Sequence, residues 1–202
     1  MNNSSENKAR VAVLISGGGT NLQAIIDRWH EGKMPHCQPV LVVSSRKSAY
    51  GLERAEKAGI KNCFIGKEGF EDKLLALLEE EKIDIIVLAG FLKVLSSDFV
   101  RRYPDRIINV HPSLIPSFCG DGFYGLKVHE AALARGVKVS GATVHYVNEI
   151  TDGGRIIAQK AVPVLEGDTP ETLQRRIMEE AEWILLPEAV EMTAERITEN
   201  MK

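Results

Sequence analysis

Apolar residues fall along this chain in two rhythms. Short runs at residues 11–15, 39–43, 83–88 and 107–108 are almost unbroken and rich in Val and Ile, as expected of strands covered on both faces. Between them the spacing is helical. Residues 22–26 follow it, and over residues 70–81 the side chains of Phe70, Leu74, Leu77 and Leu78 share one side while acidic residues hold the other. Residues 50–58 read as a helix ending at Gly59, and residues 61–65 as a further strand. Strands alternating with helices predict an α/β fold, a three-layer, doubly wound and mostly parallel sheet of Rossmann-like kind. Downstream, Ser96 or Ser97 caps a short helix reaching Arg102, residues 128–135 form a helix stopped by Gly136, and strands at 139–147 and 155–162 flank a turn at 148–154. Thr169 caps the last helix and Pro170 opens it. Pro187, which has no N–H, is expected to interrupt that helix.

With 202 residues the chain suits one domain, read here as residues 10–202 after a disordered extension at 1–9. A net charge of −3 gives no general attraction to nucleic acid or to anionic lipid, so any phosphate site must be local. No apolar run approaches the ~20 residues of a membrane span, and the first ten residues lack the apolar core of a signal peptide. Cys37, Cys63 and Cys119 are odd in number and widely separated, which fits a reducing cytoplasm better than a disulfide framework or a zinc knuckle.

Candidate chemistry sits where apolar runs end. The first run leads into Ser16-Gly17-Gly18-Gly19-Thr20-Asn21 and then a helix, an order that turns backbone N–H groups toward an anion. The loop lacks the Gly-Lys-Ser/Thr of a nucleotide triphosphate loop, and Leu22 replaces the third glycine of a dinucleotide fingerprint. A monophosphate cradle survives these exclusions; a tight turn needing positive φ explains the same glycines. The run at 83–88 enters Gly90-Phe91-Leu92-Lys93-Val94-Leu95, an apolar wall suited to a planar ligand or simply to packing. The run at 107–108 ends in Asn109-Val110-His111-Pro112-Ser113-Leu114-Ile115-Pro116. Two residues apart in extended backbone, Asn109 and His111 leave on one face. Asp152-Gly153-Gly154 supplies an acidic partner, although Asp-Gly between strands serves equally as a hairpin turn.

Taken together, Asn109 to Pro116, Gly141-Ala142-Thr143-Val144-His145, Thr151-Asp152-Gly153-Gly154-Arg155-Ile156-Ile157-Ala158-Gln159 and the 16–23 segment resemble the folate-dependent formyltransferases, most closely those of purine synthesis, over residues 10–190. The resemblance implies transfer of the formyl group of 10-formyltetrahydrofolate to the primary amine of glycinamide ribonucleotide. It assigns Asn109 to the developing oxyanion, His111 to proton transfer and Asp152 to charge-stabilising the imidazole. Gly19, Thr20 and Asn21 correspond to the phosphate site, and Glu182 to a substrate-contacting acid, although it reads equally as one more solvated glutamate among Glu179 and Glu180. Leu92, Lys93, Val94 and Leu95 correspond to the folate loop, with Asn109 also on the folate side and Lys73 standing where some members carry arginine. Lys73 and Lys93 read equally as solvated surface residues. No metal is implied, since His111 and Asp152 alone make a poor ligand set; a homodimer is compatible. The loop at 120–127 carries no assigned role. His129 is expected on a helix surface, and His145, alternating with Val144 and Tyr146, is expected to be structural. Competing readings are a formyltetrahydrofolate hydrolase with water as acceptor, a methionyl-tRNA formyltransferase, which would add an RNA-binding domain, and a silent nucleotide-phosphate-binding module.

Overall fold

The computed structural model describes residues 8–200. Of the extension expected at 1–9, residues 1–7 lie outside the described residues, and Ala9 already opens the first strand. Elements follow in the order β1 (Ala9–Ile15), α1 (Thr20–His30), β2 (Cys37–Ser44), α2 (Gly51–Lys57), β3 (Lys61–Phe64), α3 (Phe70–Glu80), β4 (Ile85–Leu88), α4 (Ser97–Arg101), β5 (Ile107–His111), α5 (Leu126–Arg135), β6 (Val139–Tyr146), β7 (Ile156–Pro163), α6 (Pro170–Ile177) and α7 (Trp183–Glu199). The expected elements are present, most with ends moved by a residue or two. Among the described residues no helix is long and apolar enough to cross a membrane.

One seven-stranded sheet has the order β3-β2-β1-β4-β5-β6-β7, parallel through β5 and antiparallel across β5/β6 and β6/β7. Alternation along each strand divides two cores. Val11, Val13, Ile15, Val42, Ile85, Val87 and Ile108 face one layer with α1, α6 and α7, while Ala12, Leu14, Leu41, Val43, Ile86, Leu88 and Ile107 face the layer of α3 and α4. Unbroken apolar runs follow from this, because both faces of a strand are buried. Pro39 is tolerated inside β2 because the register against β1 slips there and β3 pairs only from Leu41 onward.

The expectation for Pro187 is corrected: α7 runs through it, with the proline buried inside the helix. A proline ring must clear the carbonyl four residues earlier, here that of Trp183. A π-helical turn, Met178–Glu182, joins α6 to α7 and ends just before Trp183, so the wider turn lies where room is needed.

Chain direction places the site. From β1 the chain winds outward through β2 and β3, then crosses back to β4 and β5, so the winding reverses between β1 and β4. Ligands of such sheets lie at this reversal, beyond the carboxyl ends of the strands. Leu14 is paired with Leu88, and Leu88 with Asn109, which brings the glycine loop, the 90–95 loop and the Asn109 strand end to one edge.

Candidate active site

Strand β5 carries Asn109 and His111 on one face, and β6 sets His145 directly opposite Asn109. His145 Nδ1–H donates to the Tyr146 carbonyl at 2.9 Å; a carbonyl only accepts, so this nitrogen holds the proton. Its Nε2 then accepts from Asn109 Nδ2 at 3.1 Å. One amide N–H of Asn109 is thereby fixed, and the other remains for a ligand. His145, expected to be structural, is part of the site. It is buried, and it also lies 3.6 Å from Asp152.

Asp152 occupies the β6–β7 turn at φ 55°, a left-handed conformation that Asp and Asn tolerate. The turn is folded tightly against β6, since a Cβ on Gly154 would lie 1.7 Å from the Tyr146 carbonyl oxygen. It aims Asp152 Oδ2 at His111 Nδ1, 3.4 Å away, and the same oxygen accepts the Gly120 N–H at 2.9 Å. Burial pushes the Asp152 carboxyl up, but His145, the Gly120 N–H and His111 together hold it below its ordinary value. His111 is itself buried, which draws its pKa below the usual imidazole value against the opposing pull of Asp152 and the Phe118 carbonyl. Its Nε2–H donates to that carbonyl at 2.9 Å, so Nδ1 is the bare nitrogen of the neutral ring and faces a carboxylate. The pair is set to take a proton between them.

The segment after His111 is held by β6 and β7. Thr143 Oγ1 donates to the Ser113 carbonyl and accepts the Ile115 N–H, and Gln159 Nε2 donates to the Ile115 carbonyl. Beyond it, Phe118 packs edge-on against Phe123. His129 departs from its expected place on a helix surface. It is fully buried, neither ring nitrogen has a partner among the described residues, and burial with the nearby His111 lowers its pKa to about 4. The cause is that α5 turns Val128, His129 and Ala132 inward together.

At the first loop, Gly19 caps α1 at φ 72° and offers no side-chain hydrogen bond to that helix start. Thr20 is exposed at the first helical position. Asn21 is buried and donates from Nδ2 to Glu182 Oε2 at 2.7 Å, across 161 positions of sequence. Glu182 is therefore not a solvated glutamate: it is buried while Glu179 and Glu180 stay exposed, and burial raises its pKa against the pull of Asn21.

Ser16 ties this loop to the next. Its Oγ accepts the Leu92 N–H at 3.0 Å and shares a hydrogen bond with Ser45 Oγ, and its N–H donates to the Gly90 carbonyl. Leu92 and Val94 are exposed and Leu95 is buried in the core. Lys93 Nζ lies 3.9 Å above the Phe70 ring, which stacks on Phe91. Lys73 is not drawn into this cluster; its Nζ bonds the Glu68 carbonyl. Among the described residues no three His, Cys, Asp or Glu side chains are grouped to hold a metal ion.

The profile of the formyl transferase family matches residues 9–190. The chain is 45% identical over 194 residues to the trifunctional purine biosynthetic protein adenosine-3 of Bos taurus, covering 93% of this chain and 18% of that protein, so it spans about a fifth of that relative's length. Among solved structures it is similar to glycinamide ribonucleotide transformylase 1 from Symbiobacterium toebii, with a TM-score of 0.87 and 43% identity over 95% of this chain and 90% of that one. A formyltetrahydrofolate deformylase from Pseudomonas syringae pv. tomato matches with a TM-score of 0.85 and 29% identity, covering 96% of this chain and 63% of that one.

Proposed function

The chain belongs to the formyl transferase family, and we propose that it transfers the formyl group of 10-formyltetrahydrofolate to the primary amine of glycinamide ribonucleotide in purine synthesis. The observation that carries this reading is the Asn109, His111, Asp152 cluster at the end of β5, flanked by a helix start open to an anion and by an apolar loop.

The substrate amine attacks the formyl carbon, the carbonyl bond opens to an oxyanion, and the amine nitrogen gives up a proton. Asn109 donates its free N–H to that oxyanion, held in aim by His145. His111, whose lowered pKa keeps it neutral near pH 7, takes the amine proton and delivers it to the folate nitrogen as the carbon–nitrogen bond to folate breaks. Asp152 stabilises the imidazolium between those events. An amine is already a nucleophile, so no covalent intermediate on the protein is needed. Gly19, Thr20 and Asn21 present backbone N–H groups to the ribonucleotide phosphate, and Glu182 faces the same substrate. The exposed Leu92 and Val94, with Lys93, Leu95 and Asn109, form the folate side, and Lys73 is its outlying cation. The three cysteines are unpaired, which supports a reducing, cytoplasmic setting.

Folate product is measured beside formylated nucleotide, with and without glycinamide ribonucleotide. Equal amounts of both, only when the nucleotide is present, establish the transferase. Folate release without nucleotide makes water the acceptor, the reaction named for the Pseudomonas syringae neighbour. No release in either case refutes both.

A further inference from the structure

Arg54 on α2 has no part in the site described above, yet it grips the glycine loop from outside. Its Nε donates to the Gly18 carbonyl at 2.8 Å and its Nη1 to Gln23 Oε1 at 2.9 Å, with the guanidinium 5.0 Å from the centre of the Tyr50 ring. Beside it the Gly51 N–H donates to the Gly17 carbonyl at 3.1 Å. The contact is close: a Cβ on Gly19 would lie 2.7 Å from Gly51 Cα. Two successive loop carbonyls are thus held toward α2.

In a trans peptide the C=O and the following N–H point in opposite directions. Holding the Gly17 and Gly18 carbonyls toward α2 therefore turns the Gly18 and Gly19 N–H groups away from it. A cation on a carbonyl also polarises its peptide and strengthens the N–H as a donor. The 16–21 segment contains no cation of its own, and the buried Glu182 lies against Asn21.

We infer that Arg54 is a positioning residue for the phosphate of the ribonucleotide, orienting the loop N–H groups and supplying the positive charge the loop lacks. The inference rests on the proposed reading of that loop, and its test is separable from formyl transfer. Ribose 5-phosphate binding is followed by calorimetry, with ribose as control, on the wild-type protein, Arg54→Met and Arg54→Lys. Losing a charged hydrogen bond predicts a Kd for ribose 5-phosphate roughly tenfold higher in Arg54→Met. Arg54→Lys, which keeps the charge but not the two-pronged grip, recovers part of it. In turnover, the preference for the ribonucleotide over phosphate-free ribosylglycinamide, as a ratio of kcat/KM, shrinks by a similar factor. General damage to the fold would lower both substrates alike and leave that ratio intact.

Unchanged affinity for ribose 5-phosphate in Arg54→Met, or an unchanged ratio, overturns the inference, as does a wild-type protein that ignores ribose 5-phosphate. If Arg54→Met fails to fold, Arg54→Lys alone decides, by the same affinity and ratio. Binding that depends on Arg54 in a protein that makes no formylated nucleotide sinks the transferase reading and leaves Arg54 standing.

Discussion

Asp152→Asn separates charge from shape at the proposed catalytic pair. Asparagine tolerates the left-handed backbone of this position, and its amide oxygen can still accept the Gly120 N–H, so the turn persists. The charge facing His111 Nδ1 is lost. Two unit charges at the observed 3.4 Å interact by about 5 kcal/mol at an effective dielectric of about 20, an upper bound on what Asp152 gives the imidazolium. At about 1.4 kcal/mol per decade that bound is between 10³ and 10⁴ in rate, and about 10³ is expected in kcat since the ring is only partly charged in the transition state. The pH profile carries a second sign. Asp152, held below its ordinary pKa, is ionised across the range where His111 titrates, and its charge raises the His111 pKa against burial. Removing it lets burial draw His111 lower, so the acid limb of kcat/KM moves to lower pH while the plateau falls. The assay is formyl transfer to the ribonucleotide from pH 5 to 9, with circular dichroism confirming the fold. A folded variant within about threefold of wild type in kcat, or an acid limb moving to higher pH, refutes the pairing.

Three further outcomes follow from the geometry. Asn109→Ala removes the proposed oxyanion donor and is expected to cost about 10²–10³ in kcat with little change in KM, while His145→Leu, which frees the Asn109 amide and takes a neighbour from Asp152 but leaves the donor itself in place, costs about tenfold; steady-state kinetics rank them, and a larger loss for His145→Leu contradicts the order. Gly19→Ala meets Gly51 Cα at 2.7 Å in a left-handed backbone and should lose at least about 1–2 kcal/mol of stability in urea titrations, whereas Gly18→Ala, with nothing within 4 Å of its Cβ, should change it by under about 0.5 kcal/mol. His129 has its pKa lowered from 6.5 to about 4, so the unfolded chain binds its proton first and stability falls as pH drops through 6.5 toward 4. At about 1.4 kcal/mol per unit that is up to about 3 kcal/mol, and urea titrations should show His129→Leu losing less stability than wild type over that interval; equal losses would place the acid sensitivity elsewhere.

Which features were legible in the sequence depends on how far their causes reach along the chain. Strands buried on both faces announce themselves locally, and a parallel sheet brings its strand ends to one edge, so residues 16–21, 90–95 and 109–111 could be grouped before any contact was known. Asn109 and His111 needed only the two-residue period of a strand. His145 needed more, since it stands beside Asn109 only because β6 pairs with β5 in one antiparallel register, a fact that no window of sequence contains. Glu182 was singled out only by resemblance, since the residues alone left it equal to Glu179 and Glu180; what sets it apart is burial against Asn21, 161 positions away, at the end of a π-helical turn. His129 misled and Arg54 drew no notice for a shared reason: polar side chains on short helices are normally solvated, and here one is buried in the inward face of α5 while the other bonds a carbonyl 36 positions away. The residues that sequence left out, His145 and Arg54, hold Asn109 and the glycine loop from a distant element, where position depends on tertiary register rather than on motif. Sequence motifs therefore find the groups proposed to touch substrate, and the structure is needed to find what holds them in aim.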